Sequence, residues 1–445
     1  MKKKAKQGSR KSKGLSVLNH KVAGIDVGAS CHYVCVGGLA EESVRRFGTF
    51  TVDLEALADW LIALEVESVA MESTGIYWVN LYDVLEARGL KVCLANARYV
   101  RNVPGRKSDV SDCVWIQQLH SFGLLSGSFI AEGKIRELRA YVRQRETLEK
   151  QKGTQISLMG KSLQLLNVKL HQVTSGLEIQ VSMNIIRSIV AGERDSKKLA
   201  EFRHPQMKAS KEELEKSLQG NWRKEHLFSL QQALVFYDFI KQQMLLCERE
   251  IEETLAAING KDDDGVPKIK KGTVRQNDYA FDVKSYLHEA VGTDLTAIKG
   301  LDEKTILTIL AETGTDLTRW FSAGHFCSWL GLAPKQKISG EKVLGHFKQS
   351  VANRANQAFR LAAWSLHSSK CYLGEFYRKL VFRKGSNIAI KATARKLAVI
   401  FYNMVIKKAP FEPHSKEEYN EKFRERRIKK LQKEAAKMGF VMQYA

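Results

Sequence analysis

Proline is scarce, with 6 residues in 445, and this leaves room for long unbroken helices, because each interior proline removes a helix hydrogen bond. Cysteine is sparse too. Its 7 residues are an odd number with no Cys-x-x-Cys pair, so neither a disulfide framework nor a structural zinc site is expected. No stretch approaches the ~18 uncharged apolar residues of a membrane-spanning helix; even residues 397–406 are short and flanked by lysine. The start of the chain lacks the apolar core of a secretory signal, which points to an intracellular, reducing setting. Acid is the charge in short supply: 49 Asp plus Glu against 71 Lys plus Arg leave a net charge of +22. An excess of that size calls for a polyanionic partner, nucleic acid first. Hydrophobic residues at 44% and charged residues at 27% are ordinary globular usage and exclude wholesale disorder.

At ~150 residues per domain, the length suggests two or three domains. Residues 1–20 form a basic tail without acid. From 21 to 130 the runs VAGIDVG, HYVCVGG and VRRFGTF read as three short strands, followed by a helix near 54–64, a strand SVAME, a helix over 76–88, a strand LKVCLA and a helix from Asp109 to about Leu125. Three strands followed by alternating helices and strands predict an α/β sheet of mixed direction. Residues 131–258 are rich in Leu, Gln, Lys and Glu and predict a long helical hairpin or coiled-coil arm, with an insertion near 175–226. Residues 259–286 read as a linker or flexible insertion, 287–412 as a mainly helical second region, and 413–445 as a charged helical tail.

Four carboxylates carry the first chemical signal. Asp26 and Glu72 each close a run of apolar residues and precede small ones, so each emerges at an open strand end. Asp109 and Asp112 are three apart at a helix start and share one face. Each feature has a bland explanation on its own: acids suit a helix N-terminus, and Asp before Gly suits a turn. Together, on this order of elements, they match the layout of ribonuclease-H-like nucleases. In those enzymes carboxylates hold two Mg²⁺ or Mn²⁺ ions roughly 4 Å apart for phosphoryl chemistry. Arg98, Arg101, Arg106 and Lys107 are placed in sequence to meet a phosphate backbone. Ser339, in KISGEKVLG, is the second candidate. A Ser-Gly in a polar loop is commonly only a turn, but Lys335, Lys337, Lys342, Arg354 and Arg360 nearby could hold a phosphate for attack by its hydroxyl. The segment IKGLDEKTILTILAETG has a helix–hairpin–helix look, although Asp302 would face phosphate, so simple helix packing is at least as good a reading. Trp78, Trp115, Trp329 and Trp364 are expected to fill cores, and His120 and His171 to be solvated or structural.

The ordered set GIDVG, ESTGIYW, NARYVRNVPGRKSDVSD, GLDEKT, WLGLAPKQKISGEKVLG, Arg360 and ATARKLAVIFYNMV followed by PF resembles the transposases of the insertion-sequence 110 family, including the 1111 group. The resemblance covers about residues 21–170 and 290–412. It implies a RuvC-like (RNase-H-like) N-terminal domain whose DEDD acids, Asp26, Glu72, Asp109 and Asp112, bind Mg²⁺ or Mn²⁺. It also implies a serine transposase domain whose nucleophile is Ser339, forming a phosphoserine link to DNA. Further implications are a composite site shared between protomers of a homodimer or homotetramer, a structured non-coding guide RNA as partner, and a prokaryotic, nucleoid-associated cytoplasmic location. The chain departs from many relatives at Ala29-Ser30, Cys113 and Ala355.

Three other readings stand beside this one. A metal-dependent junction nuclease would use the acids and leave Ser339 idle. A non-catalytic nucleic-acid-binding relative would use neither. An actin-like ATPase or kinase would use GIDVGAS as a phosphate loop, but no second such loop follows.

Overall fold

A computed structural model of the chain describes residues 16–37, 44–73, 75–95, 109–131, 133–260, 277–334, 336–340, 342–346, 353–412 and 416–441. The chain divides into two compact units, Met1–Ile130 and Ala131–Ala445.

The N-terminal unit is built on a five-stranded sheet of order β3-β2-β1-β4-β5. Its strands are β1 (Val22–Val27), β2 (His32–Val36), β3 (Val44–Phe47), β4 (Ser68–Glu72) and β5 (Lys91–Ala95). β1–β2 and β2–β3 pair antiparallel, whereas β1–β4 and β4–β5 pair parallel. The parallel pairs need crossovers, which α1 (Thr51–Ala63) and α2 (Trp78–Ala87) supply. Side chains alternate between faces along a strand, and this decides the layering. Ala23, Ile25, Val27, Val69 and Met71 join Leu54, Leu57, Leu61, Leu81 and Leu85 of α1 and α2 in one core. On the other face α3 (Asp109–Ser121) packs its Ile116 with Ala70 and Ala95. This second face is lined by small residues, which lets the helix come close. A Cβ built on Gly24 would lie 2.2 Å from the Gln117 nitrogen and 2.4 Å from the Cys113 oxygen.

The C-terminal unit begins with two long helices, α4 (Gly133–Leu165) and α9 (Lys224–Ile258), packed antiparallel: Arg145 meets Glu248, and Leu148 meets Met244. Between them α5 (Leu170–Val173), α6 (Gln180–Val190), α7 (Ser196–Ala200) and α8 (Lys211–Ser217) make a knob at the hairpin's end. Its core holds Ile185, Ile186, Leu199, Leu214 and Leu218 together with Leu163 and Leu234 of the long helices. Then come α10 (Val283–Val291), α11 (Glu303–Thr313), α12 (Ala323–Trp329), a hairpin of β6 (Gln336–Ser339) and β7 (Lys342–His346), α13 (Arg354–Ser365), α14 (Tyr372–Lys384), α15 (Ser386–Lys407) and α16 (Lys416–Lys437). Phe326, Phe359 and Phe401 are wholly buried where α12, α13 and α15 meet. Among the described residues no helix is long and apolar enough to cross a membrane.

Three expectations need correction, and of the two readings of the Gly300 segment one holds. The end of the supposed linker is not loose: Tyr279 is buried under the Arg145 guanidinium, 3.9 Å from its ring centre, and the Ala280 amide donates to Glu248 at 2.8 Å. Gly300 is not a free hairpin tip. At φ +95° it sits against the Ala362 carbonyl, where a Cβ would be 3.0 Å away, and Asp302 caps α11 by accepting from the Thr305 amide. The packing reading therefore holds there. Trp364 fills no core, since it is 57% exposed. Ser339 ends a strand rather than sitting within a loop.

Candidate active site

The two-residue alternation of β1 and β4 also fixes where the first two acids point. With Ile25 and Met71 facing α1 and α2, Asp26 and Glu72 share the opposite face with α3. Their strands are parallel neighbours in a register that pairs Gly24 with Ala70 and Ile25 with Met71, so the two acids come next in line at the same strand ends. Asp109 and Asp112 lie in the first turn of α3, the helix packed on that face. Asp26 responds to all of them. Its carboxyl is pushed up from 3.8 to about 6, first by burial and then by the charges of Asp109, Asp112 and Glu72. Glu72 is buried, Asp26 and Asp112 are half-buried, and Asp109 is exposed.

Four carboxylates brought together by the ends of β1 and β4 and the start of α3 form an all-oxygen, strongly negative donor set, the chemistry that suits a hard divalent cation. A cation there would offset the repulsion that adds to burial in raising Asp26. Among the described residues, however, no three His, Cys, Asp or Glu side chains are grouped so as to hold a metal ion as they stand. The donor set thus fits such an ion in kind, without forming a closed cage.

Other polar groups on this face are structural. His120, on α3, shares a 2.7 Å hydrogen bond with the Ser68 hydroxyl, and burial lowers its pKa. The Cys113 thiol, beside Asp26, is pushed up to about 12, mainly by burial, and so stays protonated and inert. Gly24 is a functional position that the sequence reading passed over: only a residue without a side chain lets α3 bring its acids to β1. A glycine inside a strand is the signal for such a close approach.

The remaining candidates divide between two groups. In the C-terminal unit, Ser339 is exposed at the end of β6 and pairs in register with Lys342, also exposed. Arg354, at the start of α13, is already engaged, bonding to Glu146 of α4 at 2.6 Å. Arg360 is exposed and lines an open cleft of about 570 Å³. Lys337 is described in its backbone alone, opposite Gly345. Arg98, Arg101, Arg106, Lys107 and Lys335 lie outside the described residues.

Residues 23–167, which include all four acids, match a family model described as a transposase, of the DEDD type of IS110 elements. Residues 292–378, which include Ser339, Arg354 and Arg360, match the model of the transposase IS116/IS110/IS902 family. Together the two models cover just over half of the chain, in the order expected. The chain belongs to the IS110 family of transposases. No curated protein matches it. As an IS110-family transposase it binds DNA and belongs to the enzymes that cut and rejoin it, and the DEDD domain suggests divalent-metal dependence.

Proposed function

We propose that this transposase excises and inserts its own element through two sets of residues, the acids Asp26, Glu72, Asp109 and Asp112 and the nucleophile Ser339. The observation that carries the reading is the raised pKa of Asp26, caused by burial and by the other three acids. Structural ion pairs are built to neutralise charge, whereas these strand ends concentrate it, and perturbed carboxylates of that kind mark functional sites. The strand order β3-β2-β1-β4-β5, with three antiparallel strands followed by two parallel ones, supports an RNase-H-like (RuvC-like) domain. The helical hairpin of α4 and α9 supports an arm of coiled-coil type.

In this reading the acids hold Mg²⁺ or Mn²⁺, which when bound supplies charge stabilisation at the phosphate. Glu72 and Asp26, fixed by the strands, set the position of the donor oxygens, while Asp109 and Asp112 arrive on α3. The Ser339 hydroxyl attacks the phosphorus and gives its proton to solvent water, while the 3′ or 5′ oxygen of the broken phosphodiester departs and takes up a proton. In the resulting serine–phosphate ester a strand-end hydroxyl later attacks the same phosphorus and the Ser339 oxygen leaves, regaining its proton. Lys342 stands beside Ser339 in the hairpin register and contributes positive charge for the phosphate. A guide RNA from the element supplies sequence choice, and a homodimer or homotetramer supplies the composite site.

Strand cleavage of DNA carrying the element's ends tests this, with Mg²⁺, RNA transcribed from those ends, and the Glu72→Gln and Asp26→Asn variants. Metal-dependent cleavage by the parent chain that both variants lose is the expected result. Cleavage surviving both substitutions overturns the role given to the acids.

A further inference from the structure

Trp364 was expected inside a core and lies outside one. On α13 the buried face is made by Ala355, Ala358, Phe359, Ala362 and Ala363. The other face carries Gln357, Arg360, Leu361 and Trp364 at the three- and four-residue spacing that brings side chains together on a helix. This face and Ile390 of α15 line the cleft of about 570 Å³, a size within the ~300–1,000 Å³ range of small-ligand sites. Leu361 is 58% exposed and Trp364 57% exposed, an arrangement that costs hydrophobic burial unless something covers the indole.

The charges are sorted within the cleft. No acid lines it. Glu146 engages Arg354 from α4, and the Asn356 amide is used on the Leu330 carbonyl at 2.6 Å. Arg360 has no ion pair or side-chain hydrogen bond among the described residues, and the Gln357 side chain is exposed. The Trp364 ring is held by the His367 imidazole, stacked at 5.8 Å and 24°. A fixed, open indole beside an unengaged guanidinium and an exposed amide is the chemistry that takes a base on the ring and its phosphate on the cation.

We propose that the Trp364–Arg360 cleft binds one unpaired nucleotide of a single-stranded nucleic acid. This rests on the DNA-transfer reading above and deepens it, because cutting and exchanging strands exposes unpaired ends. The net charge of +22 and the acid-free lining select a polyanion over an apolar peptide as the occupant. Two sources share this chemistry, the displaced DNA strand and a single-stranded segment of RNA.

The test is fluorescence anisotropy of the full chain with labelled oligothymidine of about ten nucleotides, oligouridine of the same length, and a duplex, all without metal. The variants are Trp364→Ala, Trp364→Phe and Arg360→Ala. Expected is a roughly five- to hundredfold loss of single-strand affinity for Trp364→Ala, the range of one base–aromatic stack. Duplex affinity should stay within about twofold and Trp364→Phe should recover most of the loss. Arg360→Ala should reduce the salt slope by about one phosphate contact. A larger loss on oligothymidine assigns the cleft to DNA, and a larger loss on oligouridine assigns it to RNA. Unchanged single-strand affinity in Trp364→Ala, or an equal loss on the duplex, overturns the proposal. Binding is read without catalysis, so failure of the cleavage chemistry leaves this outcome legible, and failure here leaves the cleavage test standing.

Discussion

Replacing Asp26 with Asn should make the protein more stable and less active, and the stability gain should depend on pH. A carboxyl lifted from 3.8 to about 6 carries at most about 3 kcal/mol of strain once ionised, and solvent reaching this half-buried group reduces that to roughly 1–2 kcal/mol. The sign follows from linkage. The folded state holds the Asp26 proton more tightly than the unfolded chain does, so the penalty is absent below the unfolded pKa, near 3.8, grows as pH rises, and is complete above the folded value of about 6. Asn has no charge to strain. In chelator, thermal or urea unfolding of the N-terminal unit should therefore show parent and Asp26→Asn nearly equal near pH 4. By about pH 7.5 the variant should lead by roughly 1–2 kcal/mol, on the order of 5 °C in Tm for a domain of this size. Adding Mg²⁺ should narrow the gap by stabilising the parent alone. A gap that does not change with pH, or a variant less stable than the parent near pH 7.5 in chelator, refutes the reasoning that burial and the neighbouring acids together disfavour the ionised Asp26 in the folded state.

Two further substitutions test how the units are built. Gly24→Ala should drive α3 off the sheet, since backbone atoms of Gln117 and Cys113 stand where the methyl would go; a loss of about 1–3 kcal/mol by urea unfolding, together with loss of cleavage, is expected, and parent-like values on both contradict the close approach. Arg145→Ala should cost about 3–5 kcal/mol by urea denaturation, because Glu248 would keep a buried charge without its ion-pair partner. The double Arg145→Met, Glu248→Met variant should recover most of that loss, and failure to recover it would mean that the guanidinium's contacts with Tyr279 and Asn277 matter more than its charge.

Much of the N-terminal unit was legible because its signals are local. VAGIDV and SVAME are short apolar runs with an acid at or next to the strand end, and α3 opens on Asp109 and Asp112. Parity alone then sets Asp26 and Glu72 on one face. The C-terminal unit hid its features in long-range packing. Helix α14 carries no local start signal: it begins after Cys371, without a side-chain cap, and has Gly374 early, a residue required by the Ser369 carbonyl, 2.2 Å from where a Cβ would sit. Gly300 imitates a DNA-contacting hairpin yet is small for the sake of α13. Asn277 and Tyr279 sit in a charge-rich stretch that reads as a linker, and only the buried Arg145 on a distant helix explains them. Trp364 has apolar neighbours in sequence, but its helix turns it outward, and no local pattern separates that from burial. The hairpin bearing Ser339 mixes lysine with apolar residues in strands of four and five residues, too short for a clear alternation.

The central claim is that strand transfer passes through Ser339 with the acids in support. A denaturing gel tests it most directly, using the purified full chain with Mg²⁺, supercoiled DNA carrying the element's junction and RNA transcribed from its ends, beside a Ser339→Ala variant. The expected result is a covalent protein–DNA adduct that requires both Ser339 and metal. Cleaved strands without any adduct, or an adduct that persists in Ser339→Ala, would contradict it.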